Sequence, residues 1–139
     1  MKKLILLLFI PLVSFSQEDK DIRWIIDNYN KSIPIEYDMG DVTLSSVYVN
    51  KNSFYYSYLV NNCIAEKSNI DKREFLEIQS NYFLSEMNNE DNKWEFMTIS
   101  KYYDIVFKYT CKESTYHYEL RYKLNDGKFI LSTNLEELL

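Results

Sequence analysis

The sequence predicts an α+β domain, with a mainly antiparallel sheet and helices packed on one face. Apolar residues recur at helical spacing in three segments, and short polar turns join two pairs of segments rich in β-branched and aromatic residues. The chain has only two glycines and two prolines in 139 residues, which favours long, regular elements. The expected order is one helix, two strands, two helices and two strands. Strand pairs joined by hairpins argue against parallel pairing.

The first helix is expected from Asp19 to Lys31. Its apolar residues lie at i, i+3, i+4 and i+7 and so form one stripe, which consists of Ile22, Ile25, Ile26 and Tyr29. Pro34 ends the helix because a proline ring fixes φ and removes a backbone donor. Gly40 and its polar neighbours then predict a turn into the first strand.

Two antiparallel strands are expected at Val42–Val49 and Phe54–Val60, with a polar hairpin loop between them. In the first strand the apolar residues change parity near Ser45 and Ser46, which predicts a β-bulge there. Neither face of the second strand is strongly polar, which predicts a central position in the sheet.

Two helices are expected next. Ser68 and Asp71 resemble a capping box, and the following helix should end near Met87. Its apolar residues predict a wide buried face: Phe75, Leu76, Ile78, Tyr82, Phe83 and Met87. Polar residues 88–92 predict a loop. From Ile99, the spacing of Tyr102, Tyr103, Val106 and Phe107 predicts another helix, with Cys111 at its end.

The clearest strand is Tyr116–Leu124, in which apolar and polar residues alternate strictly. Asn125, Asp126 and Gly127 predict a tight turn because these residue types tolerate positive φ. Phe129–Thr133 should return as the partner strand, and Leu135–Leu139 should form a last helical turn.

Several of these segments together resemble a family of small exported bacterial α+β domains to which no function is assigned. The segments are Ser32-Ile33-Pro34 after the first helix, the Thr-Leu strand at 43–49, the Tyr-rich strand at 56–61, and Asp126-Gly127-Lys128 after a Tyr-x-Tyr strand. The residues in common are packing and turn residues. The resemblance therefore implies a compartment and a fold, and it implies no activity.

The N-terminus predicts a secretory signal peptide at residues 1–16, followed by one domain at 17–139. Lys2 and Lys3 precede an apolar stretch, Leu4–Val13, that is far shorter than the roughly 20 residues of a spanning helix. Ser14 and Ser16 supply the small residues that signal peptidase needs before Gln17. The alternative is an uncleaved buried helix. We expect the mature protein in the periplasm or outside the cell, without a stable membrane anchor.

Charge limits the partners of the domain. Removal of Lys2 and Lys3 takes the formal charge from −5 to −7, which disfavours nucleic acid and anionic membranes and fits a cationic partner. Cys63 and Cys111 are the only cysteines, and an exported chain with two cysteines predicts a disulfide bridge. The alternative is two free buried thiols.

The sequence predicts no catalytic, cofactor-binding or metal-binding residue. It contains none of the phosphate-loop, serine-hydrolase, zinc-protease or calcium-loop motifs, and its one histidine, His117, has no evident nucleophile or metal partner. Glu86, Glu90 and Asp91 are interpreted as a solvated charge run.

A non-catalytic binding or interaction domain is therefore the leading hypothesis, because thirteen tyrosines suit a binding surface. The alternative interpretation of the tyrosines, a Tyr-rich sheet core, is favoured over a binding surface. The predicted surface consists of Tyr55, Tyr58, His117, Glu119 and Arg121. The alternatives are an inhibitor or immunity-type protein that neutralises a cationic enzyme or toxin, and a small ligand carrier or hydrolase with a cavity between sheet and helices.

Overall fold

The computed structural model describes residues 20–37, 41–61, 72–112 and 117–139. Within these ranges the chain forms three α-helices, six strands and a final 3-10 turn. In chain order the elements are α1 (residues 20–32), β1 (Ile35–Tyr37), β2 (Val42–Asn50), β3 (Ser53–Val60), α2 (Lys72–Met87), α3 (Lys93–Ser100), β4 (Asp104–Cys111), β5 (His117–Asn125), β6 (Lys128–Leu131) and the 3-10 turn (Leu135–Leu138).

Four predictions lie outside the described residues. These are the signal peptide at 1–16, the turn at Gly40, the Ser68–Asp71 cap and the position of Cys63; the first residues of two predicted elements, Asp19 and Tyr116, also lie outside. None of the described helices is both long and apolar enough to cross a lipid bilayer.

One six-stranded sheet contains all the described strands in the order β1-β2-β3-β4-β5-β6. The α+β class is confirmed and most neighbours are antiparallel, but β3 and β4 are parallel. The prediction that parallel pairing is absent is wrong because α2 and α3 lie between β3 and β4 in the chain. Parallel strands need such a long crossover, and the two helices provide it.

The hairpin of β2 and β3 is confirmed. The register shifts between Leu44 and Ser46, which places a bulge at the predicted site, and Lys51 turns the chain with a φ of 55°. β3 lies between β2 and β4, so its predicted central position is also confirmed. The preceding edge strand β1 was missed because three residues after a proline carry too little pattern to predict a strand.

The predicted helix from Ile99 to Cys111 is wrong. The helix in this region is α3, which ends at Ser100, and the chain continues as β4. The spacing of Tyr102, Tyr103, Val106 and Phe107 matches a helix by coincidence. The segment 105–111 is rich in β-branched and aromatic residues, and it forms a strand because it pairs with β3 on one side and β5 on the other.

The other helices follow the prediction more closely. In α1 the stripe is confirmed, with Ile22 and Ile25 buried and Tyr29 half-buried. α2 ends at Met87 as expected, but its buried face is narrower than predicted, since Ile78 and Tyr82 are exposed.

The strands β5 and β6 are also confirmed. Tyr118, Leu120 and Tyr122 of β5 are buried, whereas Leu124 near its end is exposed. Asp126 and Gly127 form the turn with φ values of 49° and 77°. The last residues form the expected helical turn.

The core contains alternate side chains of the central strands. Tyr56 pairs with Phe107, and Phe107 pairs with Leu120, in register across β3, β4 and β5. Each helix contacts this set through an aromatic ring: Tyr29 of α1 meets Tyr56, Phe83 of α2 meets Phe107, and Phe96 of α3 meets Tyr56. The helices and the sheet therefore share one aromatic core.

Candidate functional site

A cavity of about 500 Å³ lies between the helices and the sheet. This volume falls within the range of small-molecule sites, which is roughly 300–1,000 Å³. All three helices and strands β1 to β4 contribute to its wall. The lining residues are Tyr29, Tyr37, Val42, Leu44, Tyr56, Tyr58, Ile78, Gln79, Tyr82, Phe83, Glu86, Asn92, Glu95, Phe96, Phe107 and Tyr109.

Aromatic rings on the two parallel strands form the floor of the cavity, where Tyr56, Phe107 and Tyr109 are buried and Tyr58 is half-buried. Tyr56 stacks on Phe107 with ring centroids 5.2 Å apart, and Tyr58 stacks on Tyr109 at 5.1 Å. Both are in-register pairs of β3 and β4. Because side chains of one parity share a sheet face, the Tyr-x-Tyr pattern of β3 supplies two of these rings.

The mouth of the cavity carries apolar side chains that reach solvent. Tyr37 of β1 is 44% exposed, and Ile78 and Tyr82 of α2 are each 56% exposed. All three also line the cavity. Exposed apolar groups beside a concave site are typical of a binding entrance.

A carboxylate in the wall accepts hydrogen bonds from two tyrosines. The hydroxyls of Tyr29 and Tyr56 both donate to Oε2 of Glu95, at 2.7 and 2.8 Å. The three residues belong to α1, β3 and α3, so this cluster ties three elements together. Burial raises the pKa of both tyrosines well above the ordinary value, and the Glu95 carboxylate raises it further.

A second carboxylate, Glu86 at the end of α2, also lines the cavity. The side-chain amide of Asn92 donates to Oε2 of Glu86 and to the backbone carbonyl of Glu86, both at 3.1 Å. Burial raises the pKa of Tyr37, and the neighbouring Tyr82, Glu95 and Glu86 raise it further. Both carboxylates therefore act on the same region of the cavity, near its mouth.

Among the described lining residues there is no lysine, arginine or histidine. The ion pairs of the described chain lie elsewhere: Arg73 with Glu136, Lys93 with Glu90, and Arg121 with Asp104. The cavity consequently combines an aromatic wall with two acidic side chains.

No protein-family model matches this chain. Neither curated proteins nor solved structures give a significant match. The suspected family of small exported domains stays a prediction, and the function has to be argued from the geometry.

The predicted binding surface is divided between the two faces of the sheet. Tyr58 lies in the cavity, whereas Tyr55 alternates with it and lies on the opposite face. His117, Glu119 and Arg121 belong to this opposite face, since their neighbours Tyr118 and Leu120 point into the core. The structure thus brings Tyr58 to the candidate site and leaves the other four residues away from it.

Arg121 has a structural role on the opposite face. Its guanidinium donates to Ser53 Oγ at 2.7 Å and to Asp104 Oδ2 at 3.0 Å. These contacts join β5 to the beginnings of β3 and β4. Nearby, Tyr48 and Tyr55 stack across the β2–β3 hairpin with centroids 5.0 Å apart.

Sequence reasoning missed Glu95 and assigned Glu86 to a solvated charge run. Glu95 stands between Trp94 and Phe96, and an acid inside an apolar stretch was a usable signal. Its tyrosine partners are 66 and 39 residues away in the chain, so their convergence depends on the fold. Within the described chain, no three histidine, cysteine or acidic residues cluster to hold a metal.

Proposed function

We propose that this chain is an exported, non-catalytic domain that binds a small molecule in the cavity between its sheet and its three helices. The cavity itself is the observation that carries the proposal: about 500 Å³ with a buried aromatic floor. An apolar pocket with a few convergent polar groups is the usual form of a ligand site. In this proposal the helices cover one sheet face and enclose the ligand.

The buried tyrosine hydroxyls of the cavity are poorly suited to acid–base catalysis. A general acid or base works best when its pKa is near the working pH. Burial raises the pKa of Tyr29, Tyr56 and Tyr58 far from that range. These hydroxyls stay protonated, and they serve to orient Glu95 and to line the wall.

The opposite sheet face supports a binding role less well. Arg121, which the sequence suggested as a contact residue, is engaged with Ser53 and Asp104. A side chain that joins three strands is not readily released to a partner. The cavity, by contrast, has apolar groups at its mouth that contact solvent.

Export remains part of the proposal. It rests on Lys2, Lys3, the short apolar stretch and the Ser14–Ser16 pattern. Expression in a bacterial host followed by intact-mass measurement of the envelope fraction tests it. We expect a chain that begins at Gln17; a chain that retains residue 1 and stays in the cytoplasm would contradict export.

A cavity-blocking variant tests ligand binding. The neutral fluorescent dye N-phenyl-1-naphthylamine should brighten when it enters the aromatic cavity of the wild-type protein. Gln79→Trp should weaken dye binding by about tenfold or more because the indole fills the space beside α2. Glu77→Trp is the matched control, since Glu77 is exposed on the same helix and does not line the cavity. Equal dye affinity in all three proteins would contradict the proposal.

A further inference from the structure

We infer that the ligand of this cavity is a small organic ammonium ion, an inference that rests on the proposed function and specifies its ligand. Three features of the wall lead to it: its charge, the free carboxylate oxygens and the aromatic rings.

The charge of the wall favours a cation. Glu86 and Glu95 are the ionisable acids of the cavity, and none of its described lining residues is basic. In the described part of the chain, no lysine or arginine forms an ion pair with either carboxylate. An anionic ligand would meet two like charges, whereas a cation would neutralise them.

The hydrogen bonds leave part of each carboxylate open to a ligand. Tyr29 and Tyr56 both donate to Oε2 of Glu95, and Asn92 donates to Oε2 of Glu86. Among the described residues no donor reaches Oε1 of either side chain. The tyrosine pair fixes the orientation of Glu95, so its remaining oxygen is held in place before the ligand arrives.

The aromatic rings favour an ammonium group with an organic body. A cation over the face of a tyrosine or phenylalanine ring is attracted by the ring quadrupole. Tyr37, Tyr58 and Tyr82 line the cavity near its acidic side chains, and burial raises the pKa of Tyr58 and Tyr37, so their rings stay neutral. Among the described residues no three acidic, histidine or cysteine side chains cluster, so the wall offers no carboxylate-rich set of the kind that a hard divalent cation prefers.

The size of the cavity fits the same ligand class. About 500 Å³ is far more than a single hydrated inorganic ion needs, since one water takes about 30 Å³. A quaternary or primary ammonium with a hydrocarbon portion would place its charge near Glu86 and Glu95 and its body on the aromatic floor.

The experiment compares two probes of the same shape. Choline carries the cationic nitrogen, and 3,3-dimethylbutan-1-ol replaces that nitrogen by carbon. We expect titration calorimetry on the mature protein to give at least about tenfold tighter binding of choline. Glu95→Gln and Glu86→Gln should each weaken choline binding by about tenfold and leave binding of the alcohol unchanged.

Glu90→Gln is the matched control. It removes the same charge from an exposed residue near the cavity, and its choline affinity should stay within about twofold of the wild type. Urea unfolding midpoints show which variants are folded. If Glu95→Gln does not fold, Glu86→Gln alone decides the outcome, because Glu86 accepts no hydrogen bond from Tyr29 or Tyr56.

The outcomes separate the two proposals. Equal affinity for choline and the alcohol, or choline binding that neither glutamine variant weakens, would overturn the ammonium inference and leave cavity binding intact. Absence of choline binding in a protein that binds the neutral dye would also overturn it. Absence of both choline and dye binding would overturn the proposed function itself.

Discussion

Tyrosine hydroxyls find their partners in different ways in two parts of the core: the residues that line the cavity, called the cavity end, and buried residues that do not, called the packed end. At the packed end, which comprises Leu76, Ser80, Met87, Leu120 and Tyr122, the Tyr122 hydroxyl donates to the backbone carbonyl of Ser80 at 3.0 Å. At the cavity end, the hydroxyls of Tyr29 and Tyr56 donate to the carboxylate of Glu95.

The two acceptors, a backbone carbonyl and a carboxylate, differ in charge. A backbone carbonyl is neutral and already present, so it satisfies a hydroxyl without bringing a charge into the core. A carboxylate is costly in a poorly solvated place unless something compensates its charge. In the proposed function the packed end stabilises the fold, and the Glu95 carboxylate at the cavity end is available to a ligand.

One of the two largest effects is expected from the proposed Cys63–Cys111 bridge. Cys111 is buried and pairs with Val60 in register, three residues before Cys63, so a bridge would join β3 to β4 beside the cavity. The Cys63→Ala/Cys111→Ala double variant should lose roughly 4 kcal/mol of unfolding free energy. Urea denaturation measures this loss. Alkylation of both cysteines in the folded, unreduced protein would contradict the bridge.

Packing should matter more at the packed end than at the cavity mouth. Leu120→Ala should cost about 2–5 kcal/mol because Leu120 is fully buried among well-packed neighbours. Val42→Ala removes a half-buried side chain from the cavity wall and should cost about 1 kcal/mol or less. Urea unfolding followed by the fluorescence of Trp24 and Trp94 compares them, and equal costs would remove the distinction between the ends.

Alkaline pH should destabilise the protein through its buried tyrosines. Burial raises the pKa of Tyr29, Tyr56, Tyr58 and Tyr122 above the unfolded value of about 10. Below that pH both states hold the protons and stability is complete. Above it the unfolded chain releases them first, so each such tyrosine costs about 1.4 kcal/mol per pH unit.

Urea unfolding from pH 9 to 11 measures this slope. The Tyr29→Phe/Tyr56→Phe variant should show a shallower decline, because two of the titrating groups are gone. Tyr48→Phe is the control, since the pairing of Tyr48 with Tyr55 lies on the opposite face. A stability that is constant across this range would contradict the burial of these hydroxyls.

The smallest effects compare single hydroxyls. Tyr122→Phe should cost about 1 kcal/mol because the Ser80 carbonyl loses a buried donor. Tyr29→Phe should cost less, about 0.5 kcal/mol, because Tyr56 still donates to Glu95 and Tyr29 is only half-buried. Unfolding at pH 7 measures both; a larger loss for Tyr29→Phe would reverse the comparison.

Local patterns in the sequence predicted much of the fold. The alternation in β5, the bulge before Ser46 and the turn at Gly127 each depend on neighbouring residues, and each is confirmed. The strand β4 was missed because Ile99 and the following aromatic residues imitate a helix. The parallel pairing of β4 with β3 depends on residues far apart in the chain, so it cannot be predicted from local periodicity.

The candidate site was predictable only in part. The parity of Tyr56 and Tyr58 was clear from the strand pattern, and a cavity between sheet and helices was one of the hypotheses. The place of Glu95 between Trp94 and Phe96 was a signal in the sequence, but its partners were not predictable, because its hydrogen bonds come from two residues far away in the chain.

The most direct test of the central claim is an amide NMR titration of the ¹⁵N-labelled mature protein with choline. We expect shifts concentrated at cavity-lining residues such as Tyr37, Tyr58 and Glu95, and little change at Tyr55, Glu119 and Arg121. Shifts concentrated on that opposite face instead, or no shifts at saturating choline, would contradict it.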